Sequence, residues 1–416
     1  MHTLVIGGGA AGMFAAIAAA RRGDRVAVAE RGRKPLKKLG VTGNGRGNLL
    51  NVGPLDFYGD ADFARQVLEQ MPAQEIRALW ERLGVPLVPE NEGRMYPACF
   101  LAAAAVDALL LEATRQGVEI HTAVQVNRLT QSGGRFQAEG THTLYQPDTL
   151  RKSGKAKPGA ALAQEAWKMT CDRVIEAAGG AASPMHGTDG SAYGLLTGFG
   201  HRLETPRPAL CALVTETGPL QGLEGQRARA ELCLTAGGQS WQSRGEILFA
   251  ADGVSGIAAM QLGRFAVEGA NLSINLSPGV TGERMDAPKA MEWLKRRCLT
   301  RPGLTAGELL TGAAAPGLAG ALLKRCGMNP ADAAGRLEEL ARAICDFRLK
   351  VRGCRGFEAA QVTAGGALTG DFDPLTLESR LCPGLYAAGE ILNVDGGCGG
   401  FNLMFAAASG WLAGKG

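Results

Sequence analysis

The chain has 416 residues, a length that predicts two or three packed domains. Its 44 lysines and arginines nearly balance 40 aspartates and glutamates, and a net charge of +4 argues against nucleic acid or a membrane surface as the main partner. The 60 glycines are clustered without a three-residue period, which excludes collagen and indicates places where the backbone approaches a ligand.

The first thirty residues predict a β-α-β unit. His2–Ile6 is a short apolar strand, Gly7–Gly12 a tight turn and Met13–Arg22 an alanine-rich helix. A second strand, Arg25–Ala29, ends at Glu30. The uncharged run 3–20 has no positive start and is rich in glycine, so it is not a signal or membrane segment, and we expect a cytoplasmic protein.

Gly7, Gly9 and Gly12 spell G-x-G-x-x-G between the predicted strand and helix, the context in which this pattern predicts a dinucleotide site. The first glycine makes the turn, the second admits a pyrophosphate, and the third lets the helix pack on the strand. Glu30 stands where a carboxylate accepts hydrogen bonds from a ribose without a 2′-phosphate. The alternative is a glycine turn that binds no nucleotide.

The predicted secondary-structure pattern changes twice in the middle of the chain. A polar loop, 31–51, is followed by helical patterns at 60–70, 73–83 and 102–115, and then by a β-meander at about 124–174 with a solvated polar stretch, 146–160. Strand patterns cover 205–280 and helical patterns 285–345. We therefore predict an inserted substrate or cap domain, 205–348, within one nucleotide-binding domain formed by 1–204 and 349–416.

The end of the chain favours a flavin over a nicotinamide as the bound dinucleotide. A strand ending at Gly389-Glu390 precedes a glycine cluster, 396–400, and an apolar helix, 401–413. A flavin is long enough to reach both this helix and the first one, and the start of the second helix would stabilise negative charge at the pyrimidine edge of the ring. Glu390 would face the ribityl chain or the pyrophosphate. The alternative is a helix with a glycine N-cap that packs in the core.

A third segment, 174–180, is a strand that ends in Ala178, Gly179 and Gly180, as in flavoproteins where such a segment closes over the cofactor. No second fingerprint follows a strand, so we expect NAD(P)H to bind only transiently. Ten cysteines without a C-x-x-C pair predict free thiols and no metal site. None precedes Cys99, which sets aside the flavin disulfide reductases.

Together these residues identify a resemblance to the aminoacetone oxidase or BaiN-type NAD(P)/FAD-dependent oxidoreductases of bacteria. The segments that carry it over most of the chain are 7–12, 42–48 with Asn51, 93–97, 179–180 with 187–190, 245–249 with 255–256, 362–366 and 389–402. The resemblance implies an α/β fold: a two-dinucleotide-binding, glutathione-reductase-like FAD domain with an inserted domain of β-barrel and helices.

Two departures from the family pattern concern chemistry. Gly47 stands where the family usually has Cys, and Ala250-Ala251 stand where it often has Thr-His before the Ser-Gly pair. A histidine there would be the first candidate for a proton donor, so a flavin-binding protein without turnover is one alternative. Arg94 and Tyr96 are the remaining catalytic candidates; they either border the substrate pocket or cap the helix after Pro97.

Arg46 lies in a glycine loop where its guanidinium could hold the FAD phosphates or the flavin edge, and a solvated surface turn is the alternative. The full set of predicted cofactor-binding residues is Gly7, Gly9, Ala10, Ala11, Gly12, Glu30, Arg31, Thr42, Asn44, Gly45, Arg46, Asn48, Val126, Ala178, Gly179, Gly180, Gly389, Glu390, Gly399, Gly400, Phe401 and Asn402.

These observations predict an FAD-dependent oxidoreductase that passes a hydride from NAD(P)H through flavin N5 to a conjugated C=C bond of a small molecule. The resemblance to the family's bile-acid member favours this reaction. Oxidation of an amine by oxygen is the second expectation, and a flavin-dependent RNA-modifying protein is an alternative of another class. The charge balance predicts no nucleic-acid and no membrane partner, and the sequence leaves the oligomeric state open.

Overall fold

The computed structural model describes residues 1–150 and 156–416. Arg151, Lys152 and Lys155 of the polar stretch therefore lie outside the described residues. None of the helices in those two ranges combines the length and apolar character needed to cross a bilayer.

The α-helices of the described residues are labelled in chain order. They are α1 Ala10–Arg21, α2 Lys37–Val41, α3 Ala61–Gln70, α4 Ala73–Arg82, α5 Ala102–Arg115, α6 Tyr193–Thr197, α7 Ile257–Leu262, α8 Ser277–Thr281, α9 Ala287–Thr300, α10 Ala306–Leu309, α11 Pro316–Arg325, α12 Leu337–Cys345 and α13 Phe401–Lys415.

The β-strands are labelled in the same way. They are β1 His2–Ile6, β2 Arg25–Glu30, β3 Leu50–Asn51, β4 Phe57–Gly59, β5 Leu87–Pro89, β6 Arg94–Pro97, β7 Glu119–Thr122, β8 Val124–Ser132, β9 Arg135–Tyr145, β10 Thr149–Leu150, β11 Ala156–Lys157, β12 Ala161–Cys171, β13 Arg173–Glu176, β14 Leu203–Ala209, β15 Leu213–Thr215, β16 Arg227–Ala236, β17 Gln239–Ala250, β18 Gly253–Ser255, β19 Asn271–Asn275, β20 Phe347–Cys354, β21 Val362–Ala367, β22 Leu385–Ala387 and β23 Val394–Gly396.

The chain divides into two compact units. The first contains Met1–Arg207 and Val362–Gly416, and the second contains Pro208–Gln361. The sequence places the corresponding boundaries after residues 204 and 348. The second of these falls inside β20, whose hydrogen bonds to β15 and β19 make it part of the second unit. The chain therefore re-enters the first unit at Val362, thirteen residues later than the sequence predicts, because strand β20 follows the helical part of the second unit.

The first unit is built on a parallel sheet in the order β22-β13-β1-β2-β7. Val5 of β1 lies opposite Val28 of β2 on one side and Ile175 of β13 on the other. The strands at the centre of the sheet are buried along nearly their whole length because both faces of a parallel sheet are covered. This is the Rossmann-type α/β fold that the fingerprint predicts, and β22 places the end of the chain beside its beginning.

The predicted meander is present as the antiparallel sheet β12-β9-β8. Its strands are longer than the sequence patterns, since pairing between β9 and β12 continues to Tyr145 and Ala161 although most of β12 is exposed. Backbone hydrogen bonds, rather than alternating burial, maintain these outer parts of the strands.

The second unit contains a closed barrel in the order β15-β18-β17-β16-β19-β20. Helices α9, α11 and α12 contribute Leu294, Leu322 and Ile344 to the same buried cluster as the barrel residues Phe249 and Phe347. A barrel followed by helices agrees with the strand and helix patterns predicted for the inserted segment. One shared core makes the barrel and the helices a single unit.

Two local predictions are wrong. The first helix begins at Ala10, three residues before the predicted start, because Gly9 is its N-cap and Gly12 adopts helical geometry. Arg94–Pro97 forms β6, paired with β3 and β5, so Arg94 and Tyr96 do not cap α5. The prediction that remains for these two residues is that they border the substrate pocket.

Candidate cofactor-binding site

The three glycines of the fingerprint have different surroundings. A Cβ atom on Gly7, whose φ is +102°, would lie 2.5 Å from the carbonyl oxygen of Ala177, and one on Gly12 would lie 1.9 Å from the carbonyl oxygen of Gly7. A Cβ on Gly9 would meet nothing within 4 Å. Gly7 and Gly12 are therefore required by close backbone packing, whereas Gly9 leaves an open face on the turn.

The start of α1 supplies the hydrogen-bond donors for that open face. The first intrahelical bond runs from the amide of Met13 to the carbonyl of Gly9 at 2.9 Å, so the amides of Ala10, Ala11 and Gly12 precede the helical ladder. No side chain caps this helix and its first turn carries no acidic residue. Free amides together with the helix dipole are suited to bind an anion such as a pyrophosphate.

Glu30 holds the loops on both sides of the candidate site. Its Oε2 accepts a hydrogen bond from the Gly8 amide at 2.8 Å, and its Oε1 accepts one from the Gly32 amide. Burial raises the pKa of this carboxyl, although the two backbone hydrogen bonds oppose the shift. Each carboxylate oxygen has a second lone pair, so this arrangement leaves acceptors for ribose hydroxyls.

Arg31 connects the first loop to a later segment of the resemblance. Its guanidinium forms an ion pair with Asp189 and a hydrogen bond to Ser191. Burial alone would raise the pKa of Asp189, but hydrogen bonds from Arg31 and Ser191 lower it to about 2. The segment 187–190 is thus anchored beside the end of β2.

The start of α13 is more crowded than the start of α1. Gly400 is its N-cap, with φ +102°, and a Cβ there would lie 2.6 Å from the Leu50 carbonyl oxygen and 2.8 Å from Oδ1 of Asn48. The Asn48 oxygen is buried and has no hydrogen-bond partner in ranges 1–150 and 156–416. Asn48 therefore presents an unsatisfied polar atom beside the second helix start.

Asn51 connects the same loop to the glycine cluster. Asn51 is not among the cofactor-binding residues predicted from the sequence. Its Nδ2 donates to the Gly399 carbonyl at 2.8 Å, and its Oδ1 accepts from the Gly53 amide at 2.7 Å. Arg94 lies close by, with Nε 3.6 Å from the position of a Cβ on Gly399, and it forms an ion pair with Glu92. The sequence signal that could have identified Asn51 was its place in a segment that carries the family resemblance.

Arg46 is held by aromatic rings. Within the loop before it, Gly43 and Asn44 adopt left-handed φ values of 57° and 56°, and the Gly47 amide donates to the Thr42 carbonyl at 3.1 Å. The guanidinium of Arg46 lies 4.7 Å from the ring centroids of both Tyr96 and Phe100 and pairs with Glu90.

The predicted phosphate contact of Arg46 stays a prediction. Gly45 beside it faces open space.

Burial raises the pKa of Tyr96, and the charge of Arg94 opposes that shift. The structure thus places the two catalytic candidates and Arg46 in one cluster.

Glu390 is the centre of a network that joins three segments. Lys38 Nζ donates to its Oε2 at 2.7 Å, and the Thr363 amide donates to its Oε1 at 2.9 Å. The Thr363 hydroxyl oxygen accepts from the amides of Ala181 and Ala182 at 2.8 and 3.0 Å. Lys38 is a further residue that the sequence analysis did not single out, since the basic loop gives no reason to prefer one cation.

The end of β13 lies against the fingerprint. The Ala178 amide donates to Oε1 of Glu176 at 3.0 Å, while Oε2 of Glu176 is buried without a hydrogen-bond partner among the described residues. Burial raises the pKa of Glu176 to about 8. Gly180 is required here because a Cβ would lie 2.3 Å from the Thr363 hydroxyl oxygen, and Gly179 adopts φ +80°.

Helices α1 and α13 pack through small residues. A Cβ on Gly410 would lie 2.2 Å from the Ala11 carbonyl oxygen, and one on Gly414 would lie 2.3 Å from that of Ala15. Gly389 also faces α1, 2.7 Å from the Ala11 Cβ by the same measure. The first and last segments of the sequence therefore meet in space, as a single elongated cofactor would require.

The remaining candidates are less directly connected to this site. Asn402 uses its amide locally, because Oδ1 accepts from the Gly396 amide at 2.8 Å and Nδ2 donates to the Gly396 carbonyl at 3.0 Å. The Phe401 ring packs edge-on against Phe57 at 5.8 Å. Val126 is buried in β8 and takes part in none of these side-chain contacts.

The residues present fit a dinucleotide of the length of FAD. The fit rests on the open face of Gly9 above the α1 amides and on the partnerless oxygens of Glu176 and Asn48 near the two helix starts. The assignment of individual residues to the cofactor is a proposal.

Comparison with known proteins gives a family match over the whole chain. A model described as HI0933-like protein Rossmann domain matches residues 1–416. The chain is 36% identical to the 3-dehydro-bile acid delta(4,6)-reductase of Clostridium scindens, over 99% of this chain and 97% of that protein. It is 25% identical to the ribosomal RNA dihydrouridine synthase of Escherichia coli, over 98% and 96% of the two chains.

Solved structures also resemble the chain. The 3-ketosteroid delta1-dehydrogenase from Sterolibacterium denitrificans, in complex with 1,4-androstadiene-3,17-dione, aligns with 14% identity, covering 99% of this chain and 98% of that one at a TM-score of 0.49.

Proposed function

The chain belongs to the HI0933-like Rossmann family and is a flavin-dependent oxidoreductase, and we propose that it uses NAD(P)H to reduce a conjugated C=C bond in a small enone-like molecule. The observation that carries the proposal is the 36% identity to a reductase of dehydro-bile acids along nearly the full length of both chains. The residues at the two helix starts support it because they fit the required cofactor.

The chain's own groups hold the cofactor at several points. The amides at the start of α1 bind the pyrophosphate, and Glu30 accepts hydrogen bonds from the adenosine ribose. Glu390, fixed by Lys38 and Thr363, orients the ribityl or pyrophosphate end. The amides at the start of α13 stabilise negative charge at the pyrimidine edge, and Oδ1 of Asn48 beside them accepts a hydrogen bond from the cofactor. FAD, when bound, would supply the hydride-transfer chemistry, with NAD(P)H as the reductant.

Tyr96 and Arg94 are the groups we assign to the substrate side. A tyrosine phenol is protonated at neutral pH and burial raises the pKa of Tyr96 further, so its oxygen holds a proton for the reduced carbon. Arg94, next to Gly399, orients a substrate carbonyl by hydrogen bonding. Ala251 stands where the family often has a histidine, so the proton must come from another group.

Anaerobic titration of the purified yellow protein tests the proposal. NADH or NADPH should bleach the flavin absorbance, and an added enone should restore it with one equivalent of saturated product. The Tyr96→Phe variant should still be bleached by NAD(P)H but reoxidise at least about tenfold more slowly with the enone. A flavin that neither nicotinamide reduces would contradict the proposal. Bleaching by an amine with peroxide formed on re-aeration would instead establish an amine oxidase.

An RNA substrate is the second candidate because a ribosomal RNA dihydrouridine synthase is a relative over nearly the full chain. Dihydrouridine differs from uridine by two hydrogens across one conjugated C=C bond, so the same hydride transfer would serve. Incubating the NAD(P)H-reduced protein with uridine-containing ribosomal RNA and digesting the product to nucleosides distinguishes the two. Reoxidation by RNA but not by enones would favour this candidate.

A further inference from the structure

Strand β12 forms an open edge of the meander sheet. In the order β12-β9-β8 it pairs with β9 on one side. Among residues 1–150 and 156–416, the backbone of 164–170 has no hydrogen bond except those to β9. Most of the strand is exposed, including all of 161–166. A long edge strand with unpaired amides and carbonyls is a template for pairing with another strand.

The hydrogen bonds of β9 show which residues of β12 face the open edge. The Thr143 amide donates to the Ala123 carbonyl at 2.9 Å, on the β8 side of β9, and Thr143 lies opposite Gln164. Opposite residues of an antiparallel pair either bond to each other or both point away, so the amide and carbonyl of Gln164 face the open edge. The direction alternates along the strand. The residues that face the edge are therefore Gln164, Ala166, Lys168 and Thr170.

The features that usually protect an edge strand do not interrupt this stretch. Residues 164–170 contain no proline, and the charges of Glu165 and Lys168 cancel. The irregularity in the pairing of β12 with β9 lies between Ala161 and Ala163, before the stretch begins. Protected edges carry proline, several charges or a bulge. The edge at 164–170 can therefore accept a second strand.

The edge-facing residues are symmetric about Trp167, so the edge is complementary to itself. Two antiparallel copies aligned on Trp167 pair Gln164 with Thr170. The same alignment pairs Ala166 with Lys168. Every edge-facing amide and carbonyl of both copies then has a partner, which gives about eight hydrogen bonds between the chains.

The side chains fit the same alignment. Glu165 of one copy lies opposite Met169 of the other, so like charges do not face each other. The two Trp167 side chains, which are partly exposed, meet at a position without hydrogen bonds, where cross-strand aromatic pairs are closest and favourable. Moving the axis by one residue in one direction would put the two Lys168 side chains opposite each other. Moving it in the other direction would carry the pairing into the irregular start of β12.

We propose that β12 is a dimerisation edge, on which two copies of this chain pair antiparallel about Trp167 and join their three-stranded meanders into one six-stranded sheet. None of the residues 164–170 is among the predicted cofactor-binding residues, and the surface is additional to the proposed reductase activity. One strand pair buries less surface than a permanent dimer requires, so dimerisation should depend on the protein concentration.

Sedimentation of the full-length flavoprotein over a range of concentrations tests the proposal. The wild type should pass reversibly from the mass of one chain to the mass of two. Ala166→Pro removes an amide that points away from β9, so the variant should fold normally but remain a single chain. Ala166→Thr is the matched control, because it keeps the amide and adds a strand-forming side chain on the exposed face. It should dimerise as the wild type does.

Charge substitutions at the same residue test the alignment. Ala166→Lys would put a second cation opposite Lys168 twice in each dimer and should raise the dissociation constant about tenfold, whereas Ala166→Glu should lower it by about the same factor. Ser132→Lys adds the same charge at an exposed position of β8, two strands away from the edge, and should leave the dissociation constant unchanged.

Two results would overturn the proposal. One is a wild type that stays a single chain at every concentration, which would also be the result if this edge received a strand of another protein. The other is a dimer that Ala166→Pro and Ala166→Lys leave unchanged, since its contact would then lie elsewhere. If Ala166→Pro fails to fold, the opposite shifts of Ala166→Lys and Ala166→Glu decide the question. Sedimentation needs no nicotinamide or substrate, so failure of the proposed reductase function would leave these results unchanged.

Discussion

The clusters at the starts of α1 and α13 are both rich in glycine but pack differently. At the start of α1, Gly9 faces open space, while a Cβ on Gly7 or Gly12 would collide with backbone. Before α13, both Gly399 and Gly400 are enclosed, by Asn51 and by the Leu50 carbonyl. The first cluster therefore leaves one position for a ligand, whereas the second is shaped mainly by the loop that covers it. A glycine-rich segment has to be interpreted one position at a time.

The side chains that fasten these clusters differ as well. A carboxylate, Glu30, accepts the backbone amides around the first helix start. A neutral amide, Asn51, both donates and accepts around the second. A carboxylate suits the first loop, where Glu30 faces two backbone amides, and a side-chain amide suits the second, where Asn51 faces one backbone amide and one carbonyl. Among the residues that the structure describes, Glu176 near the start of α1 and Asn48 near the start of α13 each have a buried oxygen without a hydrogen-bond partner.

The largest effect should come from valine at the first cluster. Gly12→Val would place Cβ 1.9 Å from a backbone oxygen that cannot move, so we expect no folded protein. A Cβ on Gly9 meets no protein atom within 4 Å, so Gly9→Val should fold normally but lose FAD, because the side chain occupies the face that the pyrophosphate approaches. Far-ultraviolet circular dichroism and flavin absorbance of the purified variants measure both.

Gly194→Ala is the control for that pair, since its Cβ also meets nothing within 4 Å and it lies in α6. It should retain both fold and flavin. A Gly9→Val protein that keeps a full complement of FAD would remove the distinction drawn between the two clusters.

A middle-sized effect should come from Gly400→Ala. The residue has φ +102°, and its Cβ would lie 2.6 Å from the Leu50 carbonyl oxygen, so strain and crowding together should lower the free energy of unfolding by about 3 kcal/mol. Gly45→Ala, with φ +81° and open space, isolates the strain and should cost about 1 kcal/mol. Urea unfolding measures both. Equal losses would show that crowding contributes nothing at the second cluster.

The last effect appears only when the pH is changed, and it concerns the buried carboxyl of Glu176 under the first cluster. Burial raises the pKa of Glu176 from 4.5 to about 8, so the folded protein favours the neutral acid. Its contribution to stability is complete below the unfolded value and is lost as the pH rises through about 8. Glu176→Gln keeps an acceptor for the Ala178 amide and should flatten this part of the stability profile.

Chemical unfolding across that pH window checks the prediction. The exposed residue Glu338 offers a matched substitution, and Glu338→Gln should leave the wild-type slope unchanged. If Glu176→Gln shows the same loss of stability with rising pH as the wild type, another group is responsible.

Local patterns made the first cluster predictable, since strand, glycine spacing and helix follow one another within thirty residues. The helix start was misplaced because Gly12, which the pattern assigns to a turn, adopts helical geometry. The contacts of Glu390 were beyond reach of the sequence, because Lys38 and Thr363 approach it from distant segments and depend on the packing of α2 and β21. Arg46 was assigned from its charge and its place in a glycine loop, and the sequence did not reveal the two aromatic rings that its guanidinium contacts.

The close packing of α13 on α1 also has a consequence for biosynthesis. The barrel unit, 208–361, leaves the ribosome as one uninterrupted segment and can fold while synthesis continues. The central sheet still lacks β22 at that stage, and the groove along Ala11 and Ala15 is uncovered until Gly410 and Gly414 have been translated. Assembly of the Rossmann unit therefore waits until α13 has been translated, and termination of translation before α13 would yield a finished barrel attached to an incomplete partner.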